Sequence, residues 1–586
     1  MHPSLAIQHI EGLPEPTKSL ARLAASSTVL AHLVKLDDLI SHTSHPQEAL
    51  CIPAFYVHLN VRDLPLLRAQ IRKLPKVSCL PERLACALVG LGAFGKLHGY
   101  VHPGAREEVW SSAWAWIQLL QEVNIKRAPE LQPSSDAMRF VFVRVILAFS
   151  SQPKTCSSVM AQPQIREYMA AGWAAALNLP DVSQMLLADI STCVSANCDL
   201  ANPDHLRDVV AGAGGTMNDL ASLIVRGMRG LIPPPSTALA DSLRLGLKIH
   251  GVLNLAHQLP PLKEALASHG IVGVICTALC AHALSGLSER DIAMLYLFTM
   301  SIVNYYLPVF PRNTRIKEAL DSGLLRAIVF CACFKNVELF EKQLQELLGT
   351  LLPQALVYHS VLTSLRAALD DAEPLTHNRA FRESKLFGMW QDFVRLATDR
   401  LDLLVKFDRG KIGQTRACDN LECISPIKLD DDLKWCSRCH STFYCSKTCQ
   451  SQDWADHKTL CKSLLQRKNE LAYLSPELKF LRAVLNHDYE NARADVVAKH
   501  TKALEKHPNA PCAVVTFDYR QGVDVQIECG PALDEAEFTT QHYGARVGRS
   551  DRRLELHVMA LTVGEDRTEW LALPMRVDAG GLVTTH

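Results

Sequence analysis

The feature that most constrains this fold is a cluster of metal-ligand side chains in one short segment of a 586-residue chain. Seven of the 19 cysteines and one histidine fall there at fixed spacings. Eight such donors complete two tetrahedral zinc sites, and thiolate with imidazole favours zinc over magnesium or calcium. Iron–sulfur ligation is the alternative, although the paired spacing is less typical of it. In chain order the candidate ligands are Cys418, Cys423, Cys436, Cys439, Cys445, Cys449, His457 and Cys461.

The spacing of the second half of the cluster predicts its geometry. Cys436 and Cys439 form a CxxC turn, and His457 and Cys461 lie four apart on a helix-like stretch, so that both face one side. Four protein ligands per ion leave no coordination position for water or substrate, which is the arrangement of structural zinc. We therefore expect two structural zinc ions and no catalytic residue in the cluster. His440 reads as a surface residue rather than a ninth ligand.

The cluster resembles the MYND zinc finger, whose second half reads YCxxxCQxxxWxxHxxxC; here the stretch is YCSKTCQSQDWADHKTLC, Tyr444 to Cys461. One departure is that four residues separate Cys418 from Cys423, where the commonest form has two, although fungal members often show the longer loop. The resemblance implies interleaved binding. It gives one zinc to Cys418, Cys423, Cys445 and Cys449, and the other to Cys436, Cys439, His457 and Cys461.

MYND fingers of the corepressor type hold short proline-rich peptides, and the resemblance implies that Ser437, Gln450 and Trp454 would line such a groove. An indole and an amide suit an extended proline helix with exposed carbonyls. The alternative is that Trp454 only packs over the zinc-binding helix. The segment 411–470 holds ten Lys/Arg against eight Asp/Glu, which argues against a DNA-binding finger.

Residues 1–407 show helical periodicity almost throughout, broken by Pro, Gly and Asn–Pro. Many short helices in series without strands predict an irregular armadillo- or HEAT-like solenoid. An unrelated large helical domain, or helices wrapped around an enzyme pocket, are the alternatives. Residues 408–417 are polar, basic and glycine-containing, and we read them as a linker before the zinc finger at 418–461.

Residues 462–586 combine helices with alternating strands. We expect helices over Pro476–Leu485 and Asn491–Lys506, followed by hairpins with a turn at Arg520–Gly522. The pattern predicts a small α+β domain with an antiparallel sheet. The fold class predicted for the whole chain is therefore mainly α, with a two-zinc finger and a C-terminal α+β domain.

Two apparent enzyme motifs do not hold up. The stretch "GLGAFGKL", Gly90 to Leu97, has GxxxxGK spacing, but Leu97 replaces the hydroxyl residue and the preceding stretch is helical. MYND fingers also occur in SET-domain lysine methyltransferases. Here Asn486 and His487 are followed by Asp and Tyr, and no post-SET cysteine cluster follows. The phosphate-loop reading is set aside, and the methyltransferase is kept as a second alternative to the leading reading.

Composition and charge bear on the partners of the chain and on its cellular compartment. It holds 61 Lys+Arg and 61 Asp+Glu, so no global charge points to nucleic acid or an anionic membrane as obligate partner. The start lacks a signal-peptide pattern and the cysteine usage indicates a reducing compartment, so we expect an intracellular protein of nucleus or cytoplasm. The apolar run Gly270–Leu287 reads as a buried helix rather than a membrane span.

Stretches flanking the cluster, such as "AREEVWSSAWAWIQLLQE" and "VVTFDYRQGVDVQI", resemble the large MYND proteins of mushroom-forming fungi. That resemblance implies the architecture and no activity. We therefore expect a non-enzymatic scaffold or adaptor that binds protein partners, and transcriptional regulation is one process in which such an adaptor would act. The alternatives are a ubiquitin-ligase adaptor, a lysine methyltransferase, and another enzyme with its pocket among the N-terminal helices.

Overall fold

The computed structural model describes residues 1–40, 46–74, 76–77, 80–128, 133–234, 239–257, 259–284, 298–299, 301–334, 338, 341–412, 415–424, 427–429, 432–506, 514–520, 526–530, 546–547, 549–550, 553–565, 567–577 and 583–585. The chain divides into two compact units, a first unit Met1–His269 and a second unit Gly270–His586. The domain boundaries predicted from the sequence after residues 407, 417 and 461 stay predictions.

The described part of the first unit is helical, as its 3.6-residue periodicity predicts. Proline at the first turn and side-chain caps start several helices; Thr216 and Asp219, for example, form a reciprocal capping box. Trp110, Trp116 and Trp173 are buried in its core. Its helices are α1 Thr17–Ser26, α2 Leu30–Ile40, α3 Ile52–Tyr56, α4 Leu64–Lys73, α5 Glu82–Leu97, α6 Arg106–Lys126, α7 Ser135–Ser150, α8 Pro153–Met160, α9 Ile165–Asn178, α10 Gln184–Asn197, α11 Pro203–Ala213, α12 Met217–Gly230, α13 Leu239–His257 and α14 Pro260–Ser268.

The apparent phosphate-binding loop lies inside helix α5. Lys96 makes an ion pair of 2.7 Å with Asp37 instead of standing over an open loop. A P-loop needs backbone N–H groups that point at the phosphate, and helix α5 uses those groups in its own hydrogen bonds. The prediction that this stretch is a helix is confirmed.

The second unit begins with further helices, including two π-helical turns at Ser301–Tyr306 and Leu347–Leu351. The start of the apolar run at residue 270 forms helix α15, whose apolar side chains are buried; residues 285–287 lie outside the described residues. The helices of this unit are α15 Ile271–Leu284, α16 Arg312–Asp321, α17 Leu324–Ala332, α18 Glu341–Glu346, α19 Leu352–Ala355, α20 His359–Thr376, α21 Arg379–Arg382, α22 Phe387–Asp408, α23 Lys447–Glu470 and α24 Leu478–Lys506.

Within the described residues, no single helix is long and apolar enough to cross a bilayer. The consecutive helices Pro261–Ser268 and Ile271–His282 reach that length and apolarity only when they are taken together as a bent pair.

Helix α24 corrects one prediction, because the two helices expected on either side of residues 486–490 are a single helix. The polar stretch between them contains no glycine or proline. Its Asp488 accepts two hydrogen bonds, of 2.7 and 2.8 Å, from the buried guanidinium of Arg400 on helix α22. A polar stretch that is paired in this way continues the helix instead of breaking it.

The described strands form three sheets. Strands β1 and β2 pair with each other, as do β3 and β4, and a five-stranded sheet has the order β6-β5-β7-β8-β9. Strand β7 is buried along most of its length. The strands are β1 Thr415–Ala417, β2 Ile427–Leu429, β3 Lys434–Trp435, β4 Phe443–Tyr444, β5 Val514–Asp518, β6 Gln526–Gly530, β7 Leu554–Thr562, β8 Thr568–Val577 and β9 Val583–Thr585.

The five-stranded sheet confirms an α+β C-terminal region but is not purely antiparallel. Strands β5 and β7 run parallel, with Val514 opposite Leu556, while the other three described pairings are antiparallel. Parallel neighbours need a connection of a dozen or more residues, and residues 519–553, which include strand β6, separate β5 from β7 along the chain. Of the predicted turn Arg520–Gly522, Arg520 ends the described stretch after β5, and residues 521–522 lie outside the described residues.

Candidate metal centre

Helix α23 carries the second half of the ligand cluster on one face. The Ser446 side chain caps the helix by accepting a hydrogen bond of 3.1 Å from the Cys449 backbone N–H. The helix buries only four residues, spaced by four along the chain, so they lie on one stripe. The buried stripe of most helices consists of apolar side chains, whereas the buried stripe of helix α23 consists mainly of metal-ligand side chains. These residues are Cys449, Asp453, His457 and Cys461.

The first ligand group joins the CDNLEC loop to the start of helix α23. Its four sulfurs lie within 4.8 Å of one another, with 3.7 Å between Cys423 and Cys445 and 3.5 Å between Cys445 and Cys449. Sulfurs on a tetrahedral zinc with bonds of about 2.3 Å are separated by about 3.8 Å. The donor set and its spacing therefore fit one zinc ion. The group consists of Cys418, Cys423, Cys445 and Cys449.

The second ligand group joins the CxxC turn to the middle of helix α23. The Cys436 and Cys461 sulfurs are 3.9 Å apart, and the Cys439 sulfur is 3.7 Å from His457 Nε2. All four residues are buried. The fit to a second zinc ion is as good, and the two groups are interleaved along the chain in the order that the resemblance implies. The group consists of Cys436, Cys439, His457 and Cys461.

The surroundings shift the pKa values of the ligands in both directions, and burial raises those of Cys418 and of Cys461, the latter to about 11. Burial lowers the pKa of His457, which keeps the imidazole neutral. Thr442 Oγ1 lies 3.2 Å from His457 Nδ1 and 3.4 Å from Nε2, and Nε2 is 3.7 Å from the Cys439 sulfur. Burial raises the pKa of the Cys449 thiol, but hydrogen bonds from Ser446 and Asn420 outweigh it and lower the value to about 7. Thiolate is the form that coordinates zinc.

A buried acidic residue on helix α23, between the ligands Cys449 and His457, connects the finger to a distant segment. Asp453 accepts a hydrogen bond of 2.7 Å from the Tyr444 hydroxyl and one of 2.9 Å from Arg546. Arg546 also donates to the backbone carbonyl of Asp419, beside the first zinc ligand. Arg546 and Asp453 are both almost fully buried, so this ion pair lies inside the protein.

Two further arginines hold the long loop between Cys418 and Cys423. Arg576, on strand β8, donates to the carbonyls of Asn420 at 2.9 Å and Leu421 at 3.0 Å. Arg553 donates to the Leu421 carbonyl at 2.7 Å. Leu421 itself packs in the apolar cluster of the five-stranded sheet. The two extra loop residues thus serve as an anchor to the sheet.

Two of the three residues predicted to hold a peptide lie beside the second zinc group, and Gln450 follows Cys449 of the first group. Ser437 is exposed inside the CxxC turn, and Gln450 and Trp454 lie one turn apart on helix α23. Trp454 is 42% exposed, although its ring lies 5.9 Å from that of His457. It therefore packs beside the zinc helix and also presents an indole face to solvent. His440 is exposed at a left-handed turn position.

The residues that surround the two zinc groups were not predicted from the sequence. They act through backbone carbonyls and buried carboxylates, which leave no spacing pattern. The one available signal was the density of arginine in "RVGRSDRR", residues 546–553, directly before a buried strand. The missed residues are Thr442, Asp453, Arg546, Arg553 and Arg576.

Comparison with known proteins agrees with this geometry. The family model of the MYND finger matches residues 418–461. A 36-residue stretch is 47% identical to Tudor domain-containing protein 1 of Mus musculus; it covers 6% of this chain and 3% of that protein. No solved structure matches the chain. Residues 418–461 are thus a MYND finger with two cysteine- and histidine-based zinc groups, and the resemblance to fungal MYND proteins stays an expectation.

Proposed function

We propose that this chain is a non-enzymatic adaptor whose MYND finger docks a proline-rich peptide of a partner protein. MYND fingers are protein-interaction domains, which supports protein partners for this chain. Each zinc group already holds four protein donors, so neither ion would have a position for substrate or activated water. The proposed role of both ions is to shape a binding surface.

The exposed indole of Trp454 carries the proposal. An aromatic face accepts the flat pyrrolidine rings of a proline helix, which is preformed and loses little entropy on binding. Gln450, one turn earlier on the same side of helix α23, offers an amide to the exposed carbonyls of such a peptide. Ser437 adds a hydroxyl from the CxxC turn.

The test is a fluorescence-anisotropy titration of the full zinc-loaded chain with a labelled proline-rich decapeptide. A peptide in which alanine replaces each proline is the matched ligand. We expect Trp454→Ala to weaken binding about tenfold or more, since aromatic anchors dominate such interfaces. Trp435→Ala is the matched control, because Trp435 is also an exposed indole beside a zinc ligand.

Binding that survives Trp454→Ala, or that is equally strong for the alanine peptide, would overturn the docking proposal. Zinc content of each variant is measured in parallel, so that loss of the finger is not mistaken for loss of the surface. An equal loss with Trp435→Ala would assign the site to a different face of the finger.

A further inference from the structure

A cavity of about 460 Å³ lies in the first unit, and all of its lining residues belong to that unit. Helices α5, α7, α10 and α13, together with the residues that directly follow α5 and α7, form its walls. Its volume falls in the range of about 300–1,000 Å³ that is typical of ligand sites. None of the residues assigned above to zinc or to the proline-rich peptide lines it, so this cavity is a separate candidate site.

Two cations line this cavity and have no ion-pair partner among the described residues. Arg144 on helix α7 and Lys248 on helix α13 also form no side-chain hydrogen bond there. The guanidinium of Arg144 lies 5.8 Å from the ring centroid of Phe140, a contact that uses none of its N–H groups. The charge of Asp37 acts on Arg144 as well, but Asp37 makes its ion pair with Lys96, at 2.7 Å.

The positive charge of the cavity is not balanced by a carboxylate of its own. Asp189 on helix α10 is the acidic residue of the described lining, and it already pairs with Arg244 at 3.6 Å. His98 adds no charge, because burial lowers its pKa and neighbouring arginines lower it further. Arg144 and Lys248 therefore leave two positive charges without a counter-charge in the described lining.

The position of Arg144 favours a bound anion. Burial lowers the pKa of its half-buried guanidinium, because the charged form loses contact with water. An anion that accepts hydrogen bonds from the guanidinium would offset that loss. Such charge-assisted hydrogen bonds are about twice as strong as neutral ones.

The uncharged lining offers carbon surface and oxygen acceptors. Leu147, Ala148 and Leu186 contribute apolar side chains. The hydroxyls of Ser151 and Thr192 donate to backbone carbonyls of the preceding helical turn, at 2.9 and 2.8 Å, so they face a ligand as acceptors. The cations are thus the main donors for an anion, and the apolar side chains are left for an organic body.

We infer that this cavity binds a small organic phosphate monoester. Its phosphate accepts hydrogen bonds from Arg144 and Lys248, and its carbon body lies against Leu147 and Leu186. At pH 7 such a phosphate carries a charge of about −1.5 to −2, which matches the two unbalanced positive charges. A monoanion would balance only one of them, and inorganic phosphate would leave the apolar side chains without a contact. The site goes beyond the adaptor role and does not depend on it.

The test is isothermal titration calorimetry of the full zinc-loaded chain with phenyl phosphate at pH 7. Phenyl sulfate keeps the ring and the oxygen geometry but carries one negative charge, and inorganic phosphate lacks the ring. We expect phenyl phosphate to bind about tenfold more tightly than either of them, because it alone offers both the charge and the carbon body.

Variants of the lining residues locate the bound phosphate. Arg144→Gln and Lys248→Gln should each weaken phenyl phosphate binding about tenfold or more, since each removes a charge-assisted contact. Arg139→Gln is the matched control on helix α7, because Arg139 does not line the cavity, and it should change affinity less than twofold. Asp189→Asn should strengthen binding about twofold or more, because it removes the carboxylate from the lining.

Four results would overturn the inference. They are no binding of phenyl phosphate to the parent, equal affinity for phenyl sulfate, an equal loss in Arg139→Gln, and unchanged or weaker binding in Asp189→Asn. Inorganic phosphate that bound as tightly as phenyl phosphate would assign the cavity to a free inorganic anion instead. Circular dichroism reports whether Arg144→Gln stays helical, and the gain expected in Asp189→Asn cannot arise from unfolding.

Discussion

One buried arginine ties the zinc-binding helix to a segment almost a hundred residues later in the chain. Arg546 pairs with Asp453 at 2.9 Å, and both side chains are almost fully buried. Three residues further on, Arg549 pairs with Asp456 of the same helix at 3.3 Å, but both of these side chains are exposed. The chain thus offers a buried pair and an exposed pair between the same two segments.

The two pairs should differ sharply in their contribution to stability. Arg546→Ala leaves the buried Asp453 carboxylate without its cation, and breaking such a pair costs about 3–5 kcal/mol. Arg549→Ala removes an exposed pair worth less than about 1 kcal/mol. Native-state hydrogen exchange of helix α23 measures both losses in free energy of local unfolding. Equal protection in the two variants would contradict the structural role assigned to Arg546.

Buried His282 should make the second unit less stable in acid. Burial lowers the pKa of His282 to about 4, below the value of about 6.5 expected in the unfolded chain. Between these values the unfolded chain binds a proton that the folded chain does not, so stability falls as pH falls from 6.5 to 4. The loss amounts to on the order of 3 kcal/mol.

The pH dependence is tested by thermal unfolding across this window. His282→Leu should flatten the acid-side decline in the unfolding temperature of the second unit. His377→Leu, at an exposed histidine of the same unit, should keep the parent's decline. A parent-like decline in His282→Leu would show that other groups set the acid sensitivity.

At the scale of elements, the loop between Cys418 and Cys423 is both a zinc loop and part of the sheet core. Leu421 is 8% exposed and packs among the strand residues, whereas Ile424, just past the loop, is fully exposed. Leu421→Ala should therefore cost about 2–4 kcal/mol in free energy of unfolding, by the usual penalty for a buried leucine. Ile424→Ala should change it by less than about 0.5 kcal/mol.

Limited proteolysis together with urea unfolding measures the effect of these two loop variants. Faster cleavage near residue 421 and an earlier unfolding midpoint are expected for Leu421→Ala alone. If both variants behaved like the parent, the longer loop would be a spacer rather than an anchor.

Element type and ligand identity could be predicted from sequence because both are local. The spacing of cysteines and histidine fixes which side chains share a turn or a helix face, so the eight ligands of the MYND finger were evident. The alternation of apolar and polar residues in a strand shows which face of the sheet each residue occupies, but not which strands are neighbours. It therefore could not reveal that β5 and β7 are parallel. The single helix α24 was missed because its polar middle is held by Arg400, far away in sequence.

At the scale of the second unit, the MYND finger is built into its surroundings. Arg546, Arg553 and Arg576 all donate to backbone carbonyls in or beside the first zinc loop. The first zinc loop and the five-stranded sheet thereby share contacts. Such long-range contacts have no signature in one sequence, which is why the finger alone was predicted as a separate module.

The most direct test of the two-zinc centre is the zinc content of the full chain, purified without chelator. The parent should hold two zinc ions per chain, in keeping with its two ligand groups. Cys436→Ala should lose the ion of the second group and retain about one. Cys331→Ala, which changes a buried cysteine outside both groups, should keep two.

Zinc is counted by mass spectrometry or atomic absorption after dialysis against metal-free buffer. Two ions in the parent, about one in Cys436→Ala and two in Cys331→Ala are the predicted result. Fewer than two ions in the parent, or a third that survives Cys436→Ala, would contradict the assignment of the eight ligands.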